Sequence, residues 1–361
     1  MVEQLNEMAW DDPIVPSVPD TQWEAHVKKR VGAVADLYKR LSPLPWLREA
    51  TLDWEQYLPD HVPGRLYDIQ TLVTSQENAC RYCYGSARAI LRLRGYSERM
   101  INRIEMQTRM AELDDKEQAF VLFCRALARS NPRPAKIERD RLQDLGFSRE
   151  AVGEIAFMIA SYCFVNRVAT FLACPPERKI ERFAFSPLGR MVGLASSIFR
   201  KSPTAPQVPA PGGASAGVDN PFGVVIQALE PLPAARKLEK ALAGMFASGG
   251  LSHQMKILIF AVVAKALDCR FCVNESQNQL IRMGMPPEEL DQALRNFNAP
   301  SLEPHAPHIL AWARETVHYD VMTVQKQTRQ LAEKVPPETL LEAIGVASMA
   351  NAVVRLGMLL D

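Results

Sequence analysis

The sequence lacks several features that would assign it quickly to a functional class. Lysine and arginine number 42 against 41 aspartate and glutamate, and a net charge of +1 gives no reason to expect nucleic acid or an acidic membrane surface as a partner. The longest uncharged apolar run, Ile257 to Ala264, is too short to cross a bilayer. Alternation of β-branched residues with a period of two is nearly absent, which argues against a β-rich fold.

No charged segment followed by an apolar segment opens the sequence, so we expect no secretory leader. Seven cysteines and fourteen methionines in a chain that is 47% hydrophobic suit an intracellular globular protein. We therefore expect a cytoplasmic protein whose thiols are reduced at rest, with no membrane association and no bound cofactor or metal.

The 361 residues are enough for two domains of ordinary size. Residues 1–20 are rich in proline and aspartate and predict a loose arm. Apolar residues then recur at helical spacing over 21–185 and again over 220–361, whereas 186–219 has the proline and glycine content of a linker. The sequence predicts two all-α domains joined by that linker.

Two Cys-x-x-Cys pairs, Cys80–Cys83 and Cys269–Cys272, lie 189 positions apart, and their surroundings repeat. Each pair follows a mostly apolar run and leads into an amphipathic segment that ends at a glycine. Unrelated sequences rarely keep register over so many landmarks. We interpret the chain as a tandem duplication of one helical domain, with a dithiol at the same place in each copy.

A Cys-x-x-Cys at a helix start suits redox chemistry. The spacing puts both sulfurs on one face of the helix, close enough to form a disulfide with little backbone movement. The free N–H groups and the helix dipole favour a thiolate, which lowers a cysteine pKa towards neutrality. Asn78 and Asp268, just before the pairs, are plausible capping residues for these helices.

Two structural alternatives remain open for the cysteine pairs. In some proteins two Cys-x-x-Cys pairs bind one zinc ion together, but the two pairs of such a site are usually separated by about 15 to 20 residues. The second alternative is that the cysteines of each pair are small apolar residues of the core, since free cysteine is commonly buried. Cys124, Cys163 and Cys174 have no partner at short spacing, and we expect them in the core.

These motifs resemble the superfamily of alkylhydroperoxidase D and carboxymuconolactone decarboxylase, over Leu66 to Glu177 and from about Leu251 to Leu359. Its pattern is an acidic residue twelve positions before a Cys-x-x-Cys, and a histidine four positions after the second cysteine. The resemblance implies an all-helical bundle that oligomerises, often as trimers or hexamers. A chain that contains two fused copies of this domain is therefore expected to be a homo-oligomer, such as a trimer.

The resemblance also implies a thiol-based peroxidase or disulfide reductase, recycled by a lipoyl or thioredoxin-like electron donor. By analogy, Cys83 is the attacking thiolate and Cys80 the resolving cysteine. Its small-molecule substrate is then a peroxide, such as an alkyl hydroperoxide, or a disulfide.

The chain departs from the family pattern in both copies. Asp68 occupies the acidic position of the first copy, and Ala87 stands where the histidine is expected. In the second copy these positions hold Ile257 and Ser276. Neither copy therefore has the full proton relay, whose loss ordinarily lowers a rate by about 10² to 10⁴.

Charged residues next to the cysteines are possible substitutes for that relay. Glu77 and Glu275 each lie about one helical turn from a sulfur, although a solvated helix face is the simpler explanation. Arg81 and Arg270 share the slot between the paired cysteines, where a guanidinium stabilises a thiolate or steers an anionic substrate.

Three functional hypotheses follow. The leading one is an oxidoreductase in which Cys80 and Cys83 act with Asp68, while Cys269 and Cys272 form a second, weaker or vestigial site. The second is a lyase or isomerase that uses a general base, as in the decarboxylase branch of the family. The third is a degenerate, non-catalytic scaffold, which the missing histidines favour.

Overall fold

The computed structural model describes residues 9–106, 113–198, 222–318 and 320–360, and within these ranges every regular element is a helix. The predicted all-α fold is therefore confirmed. The first half contains α1 (Thr21–Val31), α2 (Asp36–Arg40), α3 (Pro45–Glu55), α4 (Gly64–Glu77), α5 (Arg81–Leu93), α6 (Glu98–Met106), α7 (Asp115–Ala128), α8 (Ala135–Asp144), α9 (Arg149–Phe171), α10 (Arg178–Phe185) and α11 (Pro187–Ile198). The second half contains α12 (Gly223–Ala228), α13 (Pro233–Ala247), α14 (His253–Ala266), α15 (Arg270–Arg282), α16 (Pro287–Asn296), α17 (Ala306–Glu315), α18 (Val321–Ala332) and α19 (Pro337–Met358).

The helix order repeats within the chain. Helices α4, α5 and α6 begin 189 positions before α14, α15 and α16, and the flanking helices recur at similar spacing. The backbone repeats as well, since Ala79 and Asp268, one residue before each cysteine pair, both adopt the left-handed conformation with φ of 47° and 60°. This conformation is costly for residues other than glycine, so its presence at both positions is a shared structural feature.

The two halves contact each other through equivalent helices. Helix α3 packs on α13, and α9 packs on α19. Arg167 of α9 donates to the carbonyl oxygen of Thr316 at 3.3 Å, and Arg355 of α19 donates to the carbonyl oxygen of Ala128 at 3.4 Å. Because both members of the second pair lie 188 positions from their counterparts in the first, the contact is reciprocal, as across a two-fold axis. The apolar residues of both halves form one continuous core.

The long helices α9 and α19 form the centre of that core. By length and composition alone each is apolar enough to cross a membrane, but 89% and 100% of their most apolar windows are buried inside the protein. Each carries one buried carboxylate near its start. Glu154 accepts a hydrogen bond from Tyr57 at 2.7 Å, and Glu342 forms an ion pair with Lys256 at 2.9 Å, so both buried carboxyl groups have polar partners.

The N-terminal arm is not loose where the structure describes it. Trp10 donates from its indole nitrogen to the carbonyl oxygen of Cys174 at 2.9 Å, and Ile14 donates to Leu172 at 3.1 Å. Asp11 pairs with Arg329 of the second half at 2.9 Å. Residues 9–20 therefore bridge the two halves, which corrects the prediction made from composition, while residues 1–8 lie outside the described ranges.

The predicted linker begins too early. Residues Pro187–Ile198 form α11, with Ser186 accepting the N–H of Gly189 at 3.1 Å as a helix cap. A proline at the first helical position and apolar residues at helical spacing favour this helix, and they outweigh the flanking linker composition. The rest of the predicted linker, residues 199–219, lies outside the described residues.

Candidate functional site

Both cysteine pairs lie at helix starts, and the first cysteine of each pair is itself the cap. Cys80 Sγ accepts the N–H of Cys83 at 3.3 Å, and Cys269 Sγ plays the same part at the start of α15. The sequence suggested Asn78 and Asp268 as capping residues, but neither of them caps these helices. Their side chains pair with arginines instead, so the thiol replaces the usual oxygen acceptor.

The first dithiol is poised to form a disulfide. The Sγ atoms of Cys80 and Cys83 are 2.6 Å apart, and both cysteines are free thiols. A disulfide bond needs a separation of about 2.05 Å, so a small side-chain movement is enough to close it. Cys80 is fully buried, whereas Cys83 keeps 8% of its surface exposed.

Burial raises the pKa of the Cys83 thiol well above its ordinary value, and the neighbouring Cys80 thiol adds to the effect. The expected lowering of this pKa by the helix N-terminus is therefore wrong. Burial destabilises the thiolate by more free energy than the helix dipole stabilises it, because the dipole contributes only about 0.3–1 kcal/mol at its end. A thiolate at Cys83 consequently needs a base that removes its proton locally.

A carboxyl group acts electrostatically on the same thiol. Tyr38 donates a hydrogen bond to the Glu55 carboxylate, and Tyr67 donates to the Glu55 carbonyl oxygen at 3.3 Å. A further hydrogen bond joins Tyr67 to Tyr162. Burial raises the pKa of Glu55, and the charge of Glu55 acts in turn on Cys83 and Tyr162, raising the pKa of both. The Glu55 carboxyl, to which two phenols are hydrogen-bonded, thus acts electrostatically on the Cys83 thiol.

Sequence reasoning missed Glu55. This residue ends α3, which packs on α9 and α13, and it comes 25 positions before Cys80. No spacing rule connects it to the cysteine pair. The available signal was weak, because Glu55 is one of three carboxylates on a helix that also carries Trp46, Leu47 and Trp54.

Asp68, the predicted acidic partner, is engaged elsewhere. It forms an ion pair with Arg94 and accepts a hydrogen bond from Tyr96 at 3.1 Å. Arg94 lies eleven residues after Cys83, about 16 Å along the helix axis at 1.5 Å per residue. The apolar side chain of Ala87, in the intervening turn, has no group that relays a proton. These contacts therefore place Asp68 at the end of the α4–α5 pair that lies away from Cys80 and Cys83.

The second dithiol has the same local geometry but is sealed. Cys269 and Cys272 have sulfurs 2.8 Å apart, and both residues are 0% exposed. Gly357 of α19 lies so close that an added Cβ would collide with Cys272 Sγ. Ser276, at the histidine position, donates to the carbonyl oxygen of Cys272 at 2.8 Å, and Ile257 is buried. None of these groups is an acid or a base.

The other acidic candidates, Glu77 and Glu275, take part in ion pairs. Glu77 pairs with Arg129 at 3.1 Å, and Glu275 pairs with Arg282 at 3.9 Å. Arg270 is exposed and Arg81 half-buried. Within the ranges that the structure describes, no group of three or more His, Cys, Asp or Glu side chains is placed to hold a metal ion.

A separate cavity of about 460 Å³ lies between α17 and α18. Its lining includes His308, Arg314, Glu315 and Lys334, and it contains neither cysteine pair. The combination of cationic groups with a histidine suits an organic anion better than an uncharged peroxide.

Comparison with known proteins gives one family match. Among solved structures, the chain is similar to the crystal structure of an alkylhydroperoxidase AhpD core, an uncharacterized peroxidase-related protein from Ralstonia eutropha JMP134, with 21% identity, 50% of this chain and 98% of that chain covered, and a TM-score of 0.41. No curated protein matches the sequence significantly. Residues 233–315, which include the second cysteine pair, match the carboxymuconolactone decarboxylase family, and this confirms the resemblance that the motifs predicted for that segment.

Proposed function

We propose that the chain is a duplicated thiol-dependent oxidoreductase that reduces an alkyl hydroperoxide or a disulfide with the Cys80–Cys83 dithiol. One observation carries the proposal: the two sulfurs are 2.6 Å apart, and Cys83 keeps 8% of its surface exposed, whereas Cys269 and Cys272 keep none. A sulfur pair with this geometry gives up two electrons by forming one bond, with little rearrangement of the protein.

The reaction with a hydroperoxide follows from the groups present. Glu55 accepts the proton of the Cys83 thiol, and the thiolate attacks the terminal peroxide oxygen. The O–O bond breaks, the alkoxide takes the proton back from Glu55 and leaves as an alcohol, and Cys83 becomes a sulfenic acid. The Cys80 thiol then attacks Cys83 Sγ, which forms the disulfide and releases water. An external dithiol of the lipoyl or thioredoxin type returns two electrons and two protons.

Glu55 replaces the histidine of the family pattern in this scheme. A general acid or base works best when its pKa lies near the working pH, and burial moves the pKa of a carboxyl in that direction. Because the raised pKa of Cys83 makes spontaneous ionisation rare, a nearby proton acceptor is worth more here than at an exposed thiol.

The second dithiol has a structural role in this proposal. Cys269 and Cys272 have no exposed surface and no acid or base at the two family positions. Substrate and donor therefore cannot reach them without displacement of α19.

The test is to treat the reduced protein with cumene hydroperoxide and to map disulfides by mass spectrometry. We expect one equivalent of peroxide to yield a Cys80–Cys83 disulfide in the wild type and in Cys272→Ser. The Cys83→Ser variant should consume no peroxide. A Cys269–Cys272 disulfide, or no disulfide with either peroxide or a small disulfide such as lipoamide, contradicts the proposal.

A lyase or isomerase is the second candidate, favoured by the name of the matching family and by the cationic cavity beside α17. In that case turnover of a carboxylate substrate survives the Cys80→Ser, Cys83→Ser double substitution and is lost in Arg314→Gln. A scaffold, the third hypothesis, shows neither activity.

A further inference from the structure

Helices α3 and α13, one from each half, leave a cavity of about 320 Å³ between them. Its apolar lining consists of Pro45, Trp46, Ala50, Trp54, Ala241 and Gly244. The alanines and the glycine are too small to fill the space beside the two tryptophans, and for this reason the gap stays open. A mostly apolar cavity at the contact between two domains, with a few polar groups, is the usual form of a small-molecule site.

The charged residues of the lining lie on the same two helices, Glu49 and Asp53 on α3 and Lys237 and Lys240 on α13. Both carboxylate oxygens of Asp53 are already paired. Its Oδ1 lies 2.7 Å from Arg30, and its Oδ2 lies 2.7 Å from the Lys240 amine. Asp53 therefore has no carboxylate oxygen left to pair directly with Lys237.

The amine of Lys237 is half-buried and donates to the backbone carbonyl oxygen of Asp53 at 3.1 Å. Among the residues that the structure describes, no carboxylate forms an ion pair with it. Burial lowers the pKa of Lys237, the charge of Asp53 opposes this effect, and the charges of Arg30 and Lys240 lower the pKa further. A half-buried ammonium group with a neutral partner is destabilised, and an anion bound beside it would compensate its charge.

The balance of charge limits what can bind. At the Lys237 end of the cavity, three cationic groups act on one carboxylate, that of Asp53. Glu49 lies four positions before Asp53 on α3, about one helical turn towards the Trp46 end. Its half-buried carboxylate would repel a second negative charge on a ligand. The cavity thus suits one negative charge near Lys237 and an uncharged body beyond it.

We propose that this cavity binds a small organic acid that carries one carboxylate on a compact apolar body. The carboxylate pairs with Lys237, and the apolar body occupies the space between Ala50 and Ala241. Because both halves form the site, such a ligand stabilises their contact in the folded protein. The site goes beyond the thiol chemistry and does not depend on it, since none of the cysteines lines the cavity.

Isothermal titration calorimetry of the full chain tests the proposal with benzoate and octanoate as probes. We expect at least one of these acids to bind at one site per chain and to raise the Tm. Lys237→Met keeps the aliphatic stem and removes the charge, so it should raise the Kd by about tenfold or more. Ala241→Leu fills the cavity without changing a charge and should abolish binding. Glu49→Gln should lower the Kd, because it removes the repelling carboxylate.

The matched control is Arg236→Met, which removes the exposed cation next to Lys237 in sequence but outside the lining, and it should leave the Kd unchanged. Circular dichroism checks that every variant is folded. The proposal is overturned if neither acid binds, or if Lys237→Met and Ala241→Leu both bind as the wild type does. Equal or tighter binding of the neutral benzamide or the cationic benzylamine also overturns it, because the carboxylate would then contribute nothing.

Discussion

At Cys83 two opposing influences act on one thiol. The helix start favours the thiolate, and burial opposes it more strongly, so the pKa of Cys83 is raised well above its ordinary value. We predict that iodoacetamide alkylates Cys83 more slowly at neutral pH than it alkylates glutathione, with a rate that keeps rising above pH 9. Peptide mass spectrometry of a Cys80→Ser variant measures this rate. A plateau below pH 7 would show an activated thiolate and contradict the prediction.

Glu55 gives a second prediction, on stability. Its pKa in the folded protein is raised above the ordinary 4.5 by burial, so the folded state binds the proton more tightly than the unfolded state. The stabilising contribution of this group is therefore complete below about pH 4.5 and is lost as the pH rises through the folded value. Glu55→Gln keeps the neutral form, and its Tm should exceed that of the wild type by a margin that grows with pH above 4.5.

Thermal unfolding followed by circular dichroism between pH 4 and pH 8 measures this margin. Glu77→Gln is the control, because this carboxylate pairs with Arg125 and Arg129, and its removal should lower the Tm at neutral pH. Equal Tm values for Glu55→Gln and the wild type at every pH would show that folding does not raise the pKa of Glu55.

The sequence located the cysteine pairs because their chemistry depends on local spacing. Cys80 and Cys83 are neighbours on any helix, whatever the rest of the fold does. Glu55 acts on Cys83 only because tertiary packing brings the end of α3 near enough for its charge to be felt there, and no local pattern contains that information. Asp68 shows the converse, since it matched a family position but pairs with Arg94 instead.

At the scale of the element, the close approach of α15 and α19 depends on a missing side chain. Gly357→Ala would place a Cβ against Cys272 Sγ, and overpacking of this kind typically costs about 1–3 kcal/mol. We predict that urea denaturation shows this loss for Gly357→Ala. Gly249→Ala, at an exposed position with no atom within 4 Å of the added Cβ, should change the free energy of unfolding little.

A double-mutant cycle separates the steric explanation from a general effect on the helix. Cys272→Ala removes the sulfur that the new Cβ meets, so it should restore most of the stability lost in Gly357→Ala. Additive losses in the double variant would show that the strain lies elsewhere in α19.

Helix boundaries show where composition misleads. Residues 186–219 have the overall content of a linker, yet a serine cap, a proline at the first helical position and apolar residues at helical spacing form α11 at its start. Those signals were present in the sequence. What could not be predicted is that α11 turns Gly193 towards α5 and its large apolar residues outwards, because this orientation follows from the close approach of two helices.

For the whole molecule, the repeat in the sequence predicted the architecture, but not how strongly the halves depend on each other. Trp46 of α3 donates its indole N–H to Glu342 at 3.1 Å, and its ring packs against Gly345 of α19. Glu342 is also paired with Lys256, and both side chains are fully buried. A residue of the first half therefore shares the buried ion pair between Lys256 of α14 and Glu342 of α19.

This arrangement predicts that damage to the second half destabilises the first. Lys256→Met leaves the Glu342 charge buried and uncompensated, which typically costs about 3–5 kcal/mol. Because the two halves share one core, we expect hydrogen exchange of the α3 and α9 amides to accelerate together with that of α14 and α19. The double substitution Lys256→Met, Glu342→Leu removes both charges and should recover much of the protection in all four helices. Faster exchange confined to α14 and α19 would mean that the halves unfold as separate units, and that the reciprocal arginine contacts between them add little to the stability of either.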